Sequence, residues 1–284
     1  MAEITNSLPP VSLPALLRGA LRRRTGGAGI HSAARSERVY RMAGIDAAQL
    51  AAYCDVLQFP HGAVPITFYY LIAQRAHVAA MVDPAFPFRL AGMIHVANVI
   101  EEIAVSPTPP MDAARELVVR NALTIEPPTE SGARYCVFET LAEQDGTPIF
   151  RCESRYLAVR GERRPKVKLA LDGALGARVG GWTLPADEGR RYAKASGDWN
   201  PIHLWPWSAR LMGLQKPIIH GMHTVGKACA LLEQASGRRV IQVGASFVAP
   251  IPLGSEVRVE ADWEQGRYYV LTDRLAVEGS FVVL

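Results

Sequence analysis

Asp198 and His203 lie five residues apart in the stretch Ser196 to His203, which reads SGDWNPIH, and they form a plausible acid/base pair. A carboxylate can orient a water molecule while an imidazole, with an ordinary pKa of about 6.5, takes a proton from it near neutrality. Gly197 precedes the acid and Pro201 stands between the two side chains. Glycine permits unusual backbone angles and proline fixes φ, so the pair is expected on a constrained loop rather than along a helix. A second stretch, Pro217 to Thr224, reads PIIHGMHT. Its Gly221 falls at the expected start of a long helix, where N–H groups lack internal partners and the dipole places partial positive charge. Alone, an aspartate before Asn-Pro would cap a helix or close a turn.

Together these residues carry a resemblance. Tyr192, Ser196, Gly197, Asp198, Asn200, Pro201, Ile202, His203 and Ala209, then Pro217, Ile218, His220, Gly221 and Met222, resemble the signature of the MaoC-like (R)-specific enoyl-CoA hydratases and dehydratases, which are hot-dog-fold enzymes. The specific motif covers Tyr192 to Thr224, and a looser similarity to the double-hot-dog members extends over most of the chain. The resemblance implies an α+β fold, a double hot-dog with two antiparallel sheets, each wrapped around a long central helix. It implies that Asp198 and His203 together bind the water, and that no metal or redox cofactor is needed. Coenzyme A or phosphopantetheine would enter only as part of the substrate.

Adding water across an α,β-unsaturated thioester needs a base for the water, an acid for the α carbon and a partner for the charge gathering on the thioester oxygen. The Gly221 amide is the candidate for the last, and glycine suits a close approach. Ser196, Asn200 and His220 are read as supporting: Asn200 and Ser196 tie the loop to backbone groups, and His220 orients it by hydrogen bonding. His223 is read as packed or partly exposed, and His61, His77 and His95 as satisfied or surface histidines. Trp205 and Trp207 either wall the acyl pocket or pack against neighbouring structure. Arg210, Lys216, Lys227, Arg238 and Arg239 are surface charges by default, any of which could meet coenzyme A phosphates.

The elements that must position this pair follow from periodicity. A strand is expected at Arg38 to Met42, a helix capped by Asp46 and running to Leu57, and a long apolar helix from Ile66 to Val82 that stops at Asp83 and Pro84. Four strand-like segments follow, from Gly92 to Val105, Ala114 to Ile125, Ala133 to Gln144 and Pro148 to Val159. The pattern then recurs: a helical Asp187 to Ala195, the SGDWNPIH loop, a short helix at Ser208 to Met212, a long helix from Gly221 to Ala235, and strands at Val240 to Ala249, Glu256 to Trp263, Tyr268 to Val277 and Ser280 to Val283. The expected organisation is therefore an arm over residues 1–35, a degenerate hot-dog over 36–160, a charged linker over 161–180 and a catalytic hot-dog over 181–284. Laying VPIT, Val64 to Thr67, on NPIH puts Thr67 at the place of His203 and Gly62 at that of Asp198, so the first copy would serve the acyl chain and the second the chemistry.

Composition limits the alternatives. The chain has 284 residues, 49% hydrophobic and 20% charged, which is enough for two packed units. A net charge of +4 suits an anionic ligand but gives no basic stripe of the kind nucleic acid requires. No apolar run approaches membrane-spanning length, no signal-peptide order is present, and Cys54, Cys136, Cys152 and Cys229 show no metal or redox spacing, so a cytoplasmic protein with reduced cysteines is expected. The resemblance implies an acyl-CoA or acyl-carrier-protein thioester as partner, no nucleic acid or membrane is expected, and both monomer and homodimer remain open. Three functions fit the resemblance: reversible hydration of trans-2-enoyl-CoA to (R)-3-hydroxyacyl-CoA, its stereochemistry implied by the resemblance alone, dehydration of carrier-protein-bound intermediates in fatty-acid or polyketide synthesis, and a non-catalytic or thioesterase-type hot-dog that binds acyl thioesters.

Overall fold

The structure, a computed structural model, describes residues 4–9, 33–90, 92–103, 113–161 and 174–284. Most of the expected arm, Leu16 to Arg24 included, and most of the expected linker lie outside the described residues. In chain order the elements are β1 (Ile4–Ser7), β2 (Ala34–Met42), α1 (Ala47–Leu57), a 3-10 turn (Ile66–Phe68), α2 (Tyr69–Val82), β3 (Ile94–Glu102), β4 (Leu117–Ile125), β5 (Arg134–Gln144), β6 (Thr147–Val159), β7 (Ala177–Thr183), α3 (Glu188–Ser196), a 3-10 turn (Pro201–His203), α4 (Pro206–Leu211), α5 (Gly221–Ser236), β8 (Val240–Phe247), β9 (Glu256–Asp262), β10 (Arg267–Leu271) and β11 (Leu275–Val283).

The chain divides into two units that do not follow chain order: Met1–Ile45 with Tyr70–Lys168, and Asp46–Tyr69 with Leu169–Leu284. This differs from the expected boundaries, which kept residues 46–69 in the first hot-dog. The reason is long-range: Gln49 Nε2 of α1 donates to the Ala195 carbonyl of α3 at 3.0 Å, a tie that no local pattern reveals. The helix α1 itself forms as its sequence dictates. Asp46 Oδ1 accepts from the amides of Ala48 and Gln49 at 2.8 and 3.3 Å.

In the first unit the sheet order is β1-β2-β4-β5-β6-β3, antiparallel except for the parallel β1 and β2. The helix α2 stops before Pro84, which cannot continue it, and its Ala80 and Met81 pack on Leu123, Ile125, Phe138 and Tyr156 of the sheet. In the second unit the order is β7-β9-β10-β11-β8, antiparallel throughout. Both units therefore wind alike. A strand precedes the long helix, and the first strand after the helix pairs with the last.

Three local expectations change. The strand β7 lies partly in the expected linker; its Gly180 and Gly181 weaken the strand pattern, yet a Cβ at Gly181 would stand 2.5 Å from the Val257 carbonyl oxygen. The strand expected from Tyr268 to Val277 is broken between β10 and β11, where Thr272 N donates to the Arg274 carbonyl at 2.9 Å. Val64 to Thr67 leads straight into α2, which is the chain position Pro217 to His220 holds before α5, not that of Asn200 to His203. Thr67 is wholly buried, and its hydroxyl oxygen accepts from Tyr53 at 3.0 Å. No helix among the described residues is long and apolar enough to cross a membrane.

Candidate active site

The helix α3 ends at Gly197, whose φ of +80° is the left-handed conformation that glycine adopts freely, and its N–H closes the helix on the Ala193 carbonyl. A run of short side-chain bonds then holds the loop. Ser196 Oγ accepts from Asp198 N at 3.1 Å, Asp198 Oδ1 from Asn200 N at 3.2 Å, and Asn200 Oδ1 from Ile202 N at 3.4 Å. Each closes a turn two residues long, which is why Ser, Asp and Asn alternate here. Pro201 starts the 3-10 turn that carries His203, and Ser208 Oγ donates to the Pro201 carbonyl at 2.6 Å.

His203 is 8% exposed, and its Nδ1 lies 2.8 Å from the Ile218 carbonyl oxygen. A carbonyl can only accept, so Nδ1 carries the proton and Nε2 presents its lone pair. Burial holds this imidazole well below its ordinary pKa, with neighbouring His220 pushing the same way and the Asp198 charge opposing. The ring is neutral at pH 7 as a result.

His220 is also buried, and its Nε2 donates to the Asp198 carbonyl at 3.0 Å. Its ring lies against that of His203, with centroids 3.8 Å apart. The two imidazoles, the Asp198 backbone and the Ile218 backbone are thereby locked together. Burial lowers the His220 pKa too, against the Asp198 charge, which raises it.

His220 is the N-cap of α5 but makes no side-chain capping bond, so the first turn of that helix begins with uncapped donors. Gly221 is half-buried at this helix start. A Cβ there would come within 2.6 Å of the Phe247 ring, so packing alone requires the glycine. Thr224 Oγ1 donates back to the His220 carbonyl at 3.4 Å, and Gly226 faces Leu57, Thr67 and Tyr53 across the helix.

The other sequence candidates fall elsewhere. His223 is fully buried, with Nε2 3.0 Å from the Glu188 carboxylate. His77 is buried in the first unit and bonds Thr140 Oγ1 at 3.1 Å, whereas His61 pairs with Asp55 at 3.0 Å on the surface. Trp205 and Trp207 stack on each other at 5.9 Å, and Trp207 is 62% exposed. Lys227 is buried and bonds Gln58, so it is not one of the surface charges. All four cysteines are free and buried.

Three positions that sequence reasoning missed stand in the first turn of α3. Glu188 meets His223, Arg190 Nη1 donates to the Leu204 carbonyl at 3.0 Å, and a Cβ on Gly189 would lie 1.9 Å from the His203 carbonyl oxygen. The partners are 14 to 35 residues away, and no short-range signal could have found them.

The chain matches the MaoC-like domain over residues 166–272. It is 30% identical over 219 residues to the 3-hydroxyacyl-thioester dehydratase X of Mycobacterium tuberculosis, covering 74% of each chain. To the (R)-specific enoyl-CoA hydratase of Aeromonas caviae it is 34% identical over 101 residues, 33% of this chain and 75% of that one. A fatty acid synthase β subunit of Emericella nidulans is matched at 34% identity over 98 residues, 34% of this chain, and the chain spans 5% of that protein's length. The crystal structure of dehydratase X superposes with a TM-score of 0.68 at 21% identity, covering 87% of this chain and 100% of that one, and the shared fold is the double hot-dog. The chain belongs to the MaoC-like dehydratase and hydratase family.

Proposed function

We propose that this protein interconverts trans-2-enoyl-CoA and (R)-3-hydroxyacyl-CoA, with Asp198 and His203 acting on the water. The observation that carries the reading is the protonation of His203. Its Nδ1–H is committed to the Ile218 carbonyl, so Nε2 is a neutral base on the loop that also carries the Asp198 carboxylate. In hydration His203 Nε2 takes a proton from water as the oxygen bonds to the β carbon. The π electrons move to the thioester oxygen, where the Gly221 N–H at the start of α5 meets the growing charge. The imidazolium then returns the proton to the α carbon, so that H and OH have been added and the enzyme is unchanged. Asp198 opposes the burial penalty on the imidazolium while it exists.

The thioester class is that of the named relatives, one a thioester dehydratase and one an enoyl-CoA hydratase. The (R) configuration follows the same resemblance. Loss of enoyl-thioester absorbance is the test, with crotonyl-CoA and a longer trans-2-enoyl-CoA as substrates and free thiol assayed alongside. Absorbance loss without thiol release is expected, and Asp198→Asn and His203→Ala should each lower kcat by about 10²- to 10⁴-fold. Thiol release would make the protein a thioesterase. No turnover on coenzyme A esters, with turnover on the same acyl groups attached to a carrier protein, would move the substrate to the carrier.

A further inference from the structure

The first turn of α3 grips the site at three consecutive residues. Gly189 lets the helix backbone touch the His203 carbonyl, Arg190 holds the Leu204 carbonyl, and Glu188 reaches the start of α5. The contact of Glu188 is unlike the other two because it sets a largely buried carboxylate against a fully buried imidazole. Its side chain is 6% exposed and that of His223 is 0% exposed, with Oε1 and Nε2 3.0 Å apart. The second oxygen, Oε2, accepts from Arg191 at 2.9 Å. Burying a carboxylate is costly unless its oxygens are filled, and this one is filled from two sides.

What the pair joins gives it meaning. Glu188 opens the helix whose far end runs into Ser196, Gly197 and Asp198. His223 sits in the first turn of α5, between Gly221 and Thr224, one helical turn after His220. Tyr192 fills the space between, its ring 4.9 Å from His220 and 5.3 Å from His223. We propose that Glu188 and His223 are a positioning pair, which fixes the Asp198 loop and the His220–Gly221 helix start at the mutual distance that catalysis requires. It touches no substrate and acts through His220 and Asp198.

The mechanics follow from helix rigidity. The carboxylate accepts from the buried Nε2–H at 3.0 Å in a charge-assisted bond, which is directional and little screened by solvent. Shifting α5 along its axis by even a fraction of a turn would break it and leave the carboxylate hydrogen-bonded to Arg191 alone. The second tie, from His220 Nε2 to the Asp198 carbonyl at 3.0 Å, then loses its anchor. Along the chain, Asp198 and Gly221 are separated by a 3-10 turn, the short α4 and the loops around them, and the ties across that segment, from Ile218 N to the Ile202 carbonyl at 3.2 Å and from His203 Nδ1 to the Ile218 carbonyl at 2.8 Å, reach the loop before α5 rather than the helix itself.

The proposal rests on the hydratase reading, so its test has one arm that needs turnover and one that does not. His223→Leu removes the donor, whereas His223→Gln keeps an N–H at about the same reach. With crotonyl-CoA the leucine variant should lose at least tenfold in kcat with KM within twofold of wild type, and the glutamine variant should recover to within threefold. Equal losses in the two variants, or a loss confined to KM or to Tm, would overturn the proposal. If the leucine variant does not fold, Glu188→Ala, which removes the acceptor, replaces it, and an unchanged kcat there is equally fatal. The second arm is the imidazole ¹⁵N spectrum, in which His203 and His220 are Nδ1–H and Nε2–H tautomers respectively. Their signals should move in His223→Leu and return in His223→Gln. Unmoved signals overturn the pairing even in a protein that hydrates nothing, whereas absent turnover with moved signals faults the hydratase reading alone.

Discussion

Gly189→Ala places one methyl group where the structure has no room for it. The added Cβ would stand 1.9 Å from the His203 carbonyl oxygen, 3.0 Å from its carbonyl carbon and 3.7 Å from its Cα. Non-bonded carbon and oxygen do not approach within 3.0 Å, so α3 and the His203 backbone must separate by at least 1.1 Å. Either of two movements would suffice. If α3 retreats, its C-terminal end carries Ser196 and Asp198 with it; if His203 yields, the 2.8 Å bond from Nδ1 to Ile218 stretches. In both cases the carboxylate and the base part company by about the same distance.

Misplacement of reacting groups by about 1 Å costs on the order of 10²-fold in rate, equivalent to about 2.7 kcal/mol of barrier. Overpacking costs about 1 to 3 kcal/mol of stability, which leaves a typical domain folded. Gly189→Ala should therefore be a soluble protein with a modestly lowered Tm and a kcat on enoyl-CoA reduced about a hundredfold. Gly237→Ala is the matched control. It forces alanine into a φ of +66° at the far end of α5 with nothing within 4 Å, so it should cost about 1 to 2 kcal/mol of stability and leave kcat unchanged. A Gly189→Ala protein with kcat within threefold of wild type would refute the claim that this contact sets the position of His203.

The pH dependence of rate and of stability should share a direction, because both follow from buried imidazoles. Because burial lowers the His203 pKa, the kcat/KM plateau should extend below pH 6.5, and an acid limb at or above the ordinary imidazole value would contradict the buried neutral base. His77, His203, His220 and His223 are all held below their unfolded pKa by burial, so the unfolded chain binds more protons than the folded one as pH falls below about 6.5. Their contribution is complete above that pH and is lost below it at up to about 1.4 kcal/mol per pH unit for each imidazole; urea midpoints should fall between pH 6.5 and 5 and stay level from pH 7 to 8.

The sequence announces the loop and hides the frame around it. Ser196, Asp198 and Asn200 each bond a backbone amide two residues on, so their whole structural role is written within a few positions and can be read there. The caps of α1, the stop of α2 before Pro84 and the alternating strands β4 to β6 are local in the same sense. The frame is not. Gly189 matters because of a carbonyl 14 positions later, Glu188 because of a histidine 35 positions later, and residues 46–69 change units because α1 bonds a helix 146 positions away. Nothing in the immediate neighbourhood of Glu188 marks it off from the charged residues that cover any exposed helix.

That division bears on how the two units differ around their long helices. Both units wind strand, long helix and further strands in the same order, and each long helix is entered through a Pro-Ile pair, Pro65-Ile66 before α2 and Pro217-Ile218 before α5. In the second unit the residues after that pair supply His220 and Gly221, and a separate helix, α3, delivers Asp198 and His203 toward them. Before α2, by contrast, Thr67 is buried under the Tyr53 hydroxyl, and both residues are grouped with the second unit. Among the described residues of the first unit, β2 is followed by no helix before α2 begins. The helix that would fill that place is α1, and it belongs to the second unit, bonded to α3. Gly62 and Thr67 both lie in that second-unit segment, Asp46–Tyr69, so Gly62→Asp with Thr67→His should add no second site of turnover.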